Sequence, residues 1–164
     1  MTNAEAQLED LFAKYEDAVA TLGRALRTKL RARLPGLCEI VYRYENQDAL
    51  VISYSPSERG ADGVCALGLY PDGVKLFFTH GARLAKSDPD KLLQGRGKTV
   101  RHVMMTSIAD FDRAEIEMWI AAALQLANVQ LDASARGPLV FRIAEQQQRA
   151  KTRATSNQRA RPRD

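Results

Sequence analysis

Residues 94–103 read QGRGKTVRHV, three cations (Arg96, Lys98 and Arg101) set around Gly95 and Gly97. Exposed amides in a glycine-containing turn beside several positive charges can hold an anion, so these three side chains are the candidates for an anionic ligand. The stretch is not a nucleotide phosphate loop. That motif needs Gly-x-x-x-x-Gly-Lys-Ser/Thr between a strand and a helix, so that successive amides and the helix start point at the phosphates. Here position 92 is leucine, and the following VRHVMMTS has the texture of a strand. The competing reading is a loop whose glycines let it turn into that strand and whose cations are solvated.

Other chemistry is sparse. His80 and His102 are the two histidines, and neither has a second histidine or a cysteine at the short spacing a zinc site uses. His102 alternates with Val100 and Met104, so on a strand it shares their face and is expected to play a hydrogen-bonded structural role. The nucleophile-elbow pattern Gly-x-Ser-x-Gly, Cys-x-x-Cys and His-Glu-x-x-His are all missing, which points to a non-catalytic protein. Tyr42, Tyr44 and Tyr54 fall in neighbouring strand-like runs, as pocket lining or as ordinary sheet material. Trp119 and the Met104-Met105 pair read as core.

These residues need a scaffold, and the periodicity supplies one. From Ala4 to Leu34 the residues Leu8, Leu11, Phe12, Tyr15, Val19, Leu22, Leu26 and Leu30 recur at helical spacing, predicting one long helix or two sharing Gly23, ended by Pro35-Gly36. Acids fill its first half and bases its second, as the helix dipole favours. Five β-rich runs follow: Cys38–Tyr44, Ala49–Tyr54, Val64–Tyr70, Val74–Thr79 and Val100–Thr106. Tyr70-Pro71-Asp72-Gly73 reads as a hairpin turn. Mostly short connections imply an antiparallel sheet, since parallel neighbours need longer crossovers. After Ser107, with Asp110 or Asp112 as N-cap, Ile116, Trp119, Ile120, Ala123, Leu124 and Ala127 line one helix face. Pro138 to Ala150 is read as a short further helix beginning at its proline.

The chain has 164 residues, room for one domain with a real core, expected over residues 1–141. Its +4 charge is unevenly placed. Residues 142–164 hold seven basic side chains against Glu145 and Asp164, a net of +5, which leaves 17 basic and 18 acidic residues, or −1, for the body. The basic character therefore belongs to the tail, which is expected to be disordered. Such a tail could hold nucleic acid or an acidic partner without sequence specificity, through counterion release. No stretch approaches the roughly 20 apolar residues of a membrane helix, and the acidic, polar N-terminus is unlike a leader, so a cytoplasmic protein without a membrane partner is expected. Cys38 and Cys65 lie in apolar runs and are expected to pack as small hydrophobes.

The run Val74–Val103 resembles the signature of the YdhG-like family, small bacterial domains of unassigned function. Family members show a strand, then Gly-Ala-x-Leu, an acidic-proline pair, Leu-Leu-x-Gly-x-Gly-Lys, and an Arg-His-Val strand. The counterparts here are Gly81-Ala82-Arg83-Leu84, Asp88-Pro89, Leu92 through Lys98, and Arg101-His102-Val103. The resemblance spans about residues 8–128. Near the first strand, where the family often has proline and glycine, this chain has Val41-Tyr42-Arg43-Tyr44-Glu45-Asn46.

The resemblance implies a frataxin-like α+β fold, with helices packed on an antiparallel sheet of about five strands. Some relatives are regarded as iron chaperones, which directs attention to carboxylates. On a continuous helix Glu5, Glu9 and Glu16 fall within about 40° of one another, an acidic ridge of oxygen ligands for iron. The alternative is that they are solvated and complement the dipole. The reading is thus a non-catalytic module for a small ligand or metal, with iron as the implied cofactor. Its site is expected on the sheet and the Gly81–Thr99 segment.

Overall fold

The computed structural model describes residues 2–143 and residue 153. The N-terminal helical stretch forms two helices, α1 (Asn3–Phe12) and α2 (Asp17–Arg33). Thr2 Oγ1 caps α1 by accepting the Glu5 amide at 3.2 Å. The break falls at residues 13–16 and not at Gly23, because Tyr15 is held by a tertiary contact. Its hydroxyl donates to the Asp48 carbonyl at 2.8 Å and accepts from Arg43 at 2.7 Å. Gly23 lies inside α2, where the helix presses on the sheet: a Cβ there would come 2.8 Å from Leu69 Cδ2. Pro35-Gly36 follows the helix end as expected, with Gly36 at φ +84°.

The five expected strands form within one residue of their predicted ends: β1 (Cys38–Tyr44), β2 (Ala49–Ser55), β3 (Cys65–Tyr70), β4 (Gly73–Phe78) and β5 (Arg101–Met105). Each pairs antiparallel with its sequence neighbour. Between β4 and β5 lies a short helix, α3 (Gly81–Leu84), then a loop tied by Asp88, whose carboxylate accepts the amides of Leu92 (2.9 Å) and Leu93 (2.8 Å). Helix α4 (Ala114–Leu126) follows β5. Its expected aspartate cap is absent. Ser107 caps the preceding 3-10 turn Ile108–Asp112 in a reciprocal box with Asp110, and α4 starts after Arg113.

The sheet has six strands, not five, because Leu139–Phe141 forms β6 beside β1, parallel to it. This overturns the start of the helix expected from Pro138, while Ile143 is helical. The Leu-Val-Phe run suits an edge strand, where a leading proline sacrifices no ladder donor. The Pro138 carbonyl accepts the Glu39 amide at 2.9 Å. Gly137 allows the approach, since a Cβ there would lie 1.7 Å from the Leu37 oxygen. Residues 144–150 of that expected helix lie outside the described residues.

Among the described residues the fold is thus mixed α+β, with four α-helices and a mostly antiparallel sheet in the order β5-β4-β3-β2-β1-β6. Strand alternation separates two faces. Val41, Ile52, Tyr54, Leu67, Leu69, Leu76, Phe78, Val103 and Met105 point to the helices and are buried. Trp119 of α4 meets Phe78 edge-on with ring centroids 6.1 Å apart. Burying a side chain of this size contributes about 1.5–3 kcal/mol, so this face holds the fold together. Cys38 and Cys65 are buried free thiols, and burial pushes Cys65 up to about 12, in keeping with small hydrophobes.

Candidate ligand-binding face

Of the three candidate cations, one is already engaged within its own loop. Arg101 opens β5 and its guanidinium turns back on its own loop, donating to the carbonyls of Gly97 and Val100. It closes the turn and is not poised to greet an anion. Gly81 makes that arrangement possible: a Cβ there would lie 2.5 Å from Arg101 Cβ and 2.7 Å from its amide nitrogen. Arg96 and Lys98 are exposed and make no ion pair or hydrogen bond among the described residues.

The acidic ridge is not assembled either. The break after Phe12 puts Glu16 at the start of a second helix. Glu9 pairs with Arg24 at 2.9 Å, and Glu5 accepts from Arg27 at 2.8 and 2.9 Å. Among the described residues no group of three or more histidine, cysteine, aspartate or glutamate side chains is placed to hold a metal ion. Of the histidines, His80 is exposed at the start of α3, and His102 lies half-buried against Phe77 with ring centroids 5.4 Å apart. His102 does share a face with Met104, away from the helices.

That second face is where the structure departs from expectation. One side of a half-covered antiparallel sheet ordinarily alternates to polar residues. Here that face carries Tyr42 and Tyr44 on β1, Val51 and Ser53 on β2, Ala66, Gly68 and Tyr70 on β3, Lys75 and Phe77 on β4, and His102 and Met104 on β5, while Cys38, Ile40, Ala49 and Ser55 on the same face are buried. Tyr42 and Tyr44 stack at 6.3 Å, Tyr70 and Phe77 meet at 6.4 Å, and Lys75 lies 4.4 Å over the Tyr70 ring. Gly68 creates the space for them: a Cβ would come 2.8 Å from Phe77 and 3.0 Å from Tyr70. An aromatic laid over a strand glycine restores the packing that the glycine lacks.

Two cavities open on this face. One, of about 640 Å3, lies between Tyr42, Tyr44, Val51, Ser53 and Ala66 and a wall formed by residues 58–61 and Arg142. Gly60 seals that wall, since a Cβ would lie 2.0 Å from the Tyr42 hydroxyl. The other, of about 290 Å3, is lined by Tyr44, Gln47, Val51, Ala66, Tyr70, Phe77, Thr79 and Val100. Tyr44, Val51 and Ala66 are common to both, and Tyr44 is 41% exposed. Burial pushes the Tyr70 phenol up, and burial with the nearby Lys75 charge pushes His102 down, so both are neutral at neutral pH. The face is aromatic, with Lys75 lying over one of its rings and Glu58, Arg59 and Arg142 at the wall of the larger cavity.

The strands themselves held the signal for this site. The run CALGLY is apolar at both parities, the mark of a strand covered on two faces, and in CEIVYRY the apolar parity is that of Tyr42 and Tyr44, opposite the core residue Val41. Tyr54, grouped in the sequence with Tyr42 and Tyr44, belongs to the other side. It is buried under α2 and donates to Glu39 at 3.1 Å. Glu39 is also bound by Arg27, at 2.9 Å through Nε and 2.8 Å through Nη2, and Arg27 joins it to Glu5.

Arg142, counted with the basic tail, belongs to the folded body. Its amide donates to the Val41 carbonyl at 2.9 Å and its guanidinium lies 3.7 Å from Glu58. Apart from Arg142, Ile143 and Arg153, the tail lies outside the described residues, and with it most of the nucleic-acid reading. No helix among the described residues is long and apolar enough to cross a membrane. Compared with known proteins, the chain matches no family model, and no curated protein or solved structure matches it.

Proposed function

We propose that this chain is a non-catalytic binding module of YdhG-like, frataxin-like architecture, and that its ligand is a small, flat aromatic molecule carrying an anionic group. The architectural reading is supported by element order: N-terminal helix, five-stranded antiparallel meander, C-terminal helix. The observation that carries the functional reading is the run of aromatic side chains on the face that should be polar. An exposed apolar patch of this kind marks an interaction site.

The mechanism follows from the geometry. A planar ring entering over Ala66 and Val51 is flanked by Tyr44 on one side and by Tyr70 and Phe77 on the other. Offset or edge-on aromatic contacts contribute about 0.5–1.5 kcal/mol each beyond the area they bury. Val100, which lines the smaller cavity, ends the loop that carries the exposed cations Arg96 and Lys98, the candidate partners for an anionic substituent.

The test is a titration followed by amide NMR, with adenosine monophosphate and benzoate as probes and ferrous iron as a third arm for the iron alternative. Saturable shifts centred on Tyr44, Val51, Ala66, Phe77 and Val100, lost in Ala66→Leu, are expected for the aromatic anions. Shifts confined to carboxylate residues on adding iron, with none on the sheet face from either organic probe, would overturn the reading.

A further inference from the structure

We infer a second binding site, for a small oxyanion, on the opposite side of the sheet. A cavity of about 600 Å3 lies between the last turns of α2, the start of β1 and residues 133–137. Its polar lining includes Arg31, Glu39, Tyr54 and Arg136. Two of its walls are backbone held close by glycine, Gly36 at φ +84° and Gly137 against Leu37.

The charges around this cavity are unequally satisfied. Arg27 takes both Glu5 and Glu39 in hydrogen bonds of 2.8–2.9 Å, and Tyr54 donates to a Glu39 oxygen as well. Arg31 is left at 3.5 Å from Glu39 and 3.7 Å from Glu5, beyond good hydrogen-bonding distance, and makes no hydrogen bond among the described residues. Arg136 is exposed and has neither an ion pair nor a hydrogen bond among them. Three guanidinium groups thus face two carboxylates, an excess of one positive charge beside a cavity. The end of a helix favours cations and offers an anion nothing, so any anion here is held by the arginine forks alone. Planar guanidinium groups with unused N–H donors are matched by carboxylate or phosphate oxygens. A monoanion between Arg31 and Arg136 would balance the charge and supply the acceptors that Arg31 lacks.

The site is separate from the aromatic face, so the two readings fail independently. Arginine Nε–H resonances are followed while inorganic phosphate, and in a parallel series acetate, is added at constant ionic strength. Saturable movement of the Arg31 and Arg136 signals is expected, with Arg24, already paired to Glu9, as the unmoved reference. Arg136→Gln, at an exposed position without a partner, is expected to fold normally and to weaken binding about tenfold, as the loss of a charge-assisted contact should. Saturation by phosphate alone assigns a phosphate site, and saturation by both anions a general oxyanion site. Movement that does not saturate, that Arg24 shares equally, or that survives Arg136→Gln unchanged would overturn the inference.

Discussion

The two faces of the sheet each depart from the usual division of labour in one place. The covered face contains, among its apolar side chains, a salt-bridged cluster of Arg27, Glu5, Glu39 and Tyr54. The uncovered face, open to water at Tyr44 and half-open along β3 to β5, is aromatic. A buried charge and an exposed ring each cost free energy unless something answers it. Around Glu39 the buried charges are answered: both its oxygens accept hydrogen bonds, and Arg27 donates through all three nitrogens. Outside, the rings of Tyr70 and Phe77 pack on each other and under Lys75, while Tyr44 stays 41% exposed, which is why that face is read as the binding surface. Satisfied groups hold a structure, and unsatisfied ones recruit.

The sharpest way to break this contrast is Arg27→Met. It strands a buried carboxylate, which costs about 3–5 kcal/mol, measurable by urea denaturation. Replacing Glu39 by Met as well should recover much of the loss, since an apolar pair needs no partner. A double variant as unstable as the single one would show that packing and not charge governs this side. Gly81→Ala should cost about 1–3 kcal/mol, because its Cβ would collide with the Arg101 backbone and force a shift.

The two faces should also titrate separately. Glu5 is held below its usual 4.5 by its hydrogen bond to Arg27, so the stability it adds is present above pH 4.5 and lost as the pH falls through its folded value. His102 is held below 6.5 by burial and by Lys75, so the unfolded chain takes up its proton first. Stability on that side is full above pH 6.5 and declines as the pH falls toward the folded value. Glu5→Gln should flatten only the lower limb of the stability profile, and His102→Gln only the upper. The smallest effect is expected at Tyr44→Ala, within about 0.5 kcal/mol of the parent in denaturation, because the ring is well exposed. A large loss there would recast the aromatic face as structural.

Much of the scaffold was legible because it rests on local rules. Period-two runs and short turns define β1 to β5 to within a residue, and a clean apolar stripe defines α4. The misreadings occur where a distant contact overrules the local pattern. Tyr15 interrupts a continuous helical stripe because Asp48 and Arg43 claim its hydroxyl. Leu139–Phe141 becomes a strand because the edge of β1 is open beside it. The candidate sites fared worse for the same reason. Glu5 and Glu9 share a helix face as expected, yet each already has an arginine that sequence distance conceals. Arg101 is consumed by the carbonyls of its own loop, while Arg31 and Arg136, far apart in the chain, meet at one cavity.

What the amino-acid order determined alone is the five-strand meander, the α4 stripe and the absence of a familiar catalytic motif, since propensity, periodicity and motif spacing act over a few residues. Which charges are paired, and which face is left uncovered, only the tertiary structure decided. Pairing and exposure depend on through-space neighbours: Arg27 finds Glu39 across the interface between α2 and the sheet, and Tyr44 and Phe77 line one cavity only because four strands, β1 to β4, lie side by side.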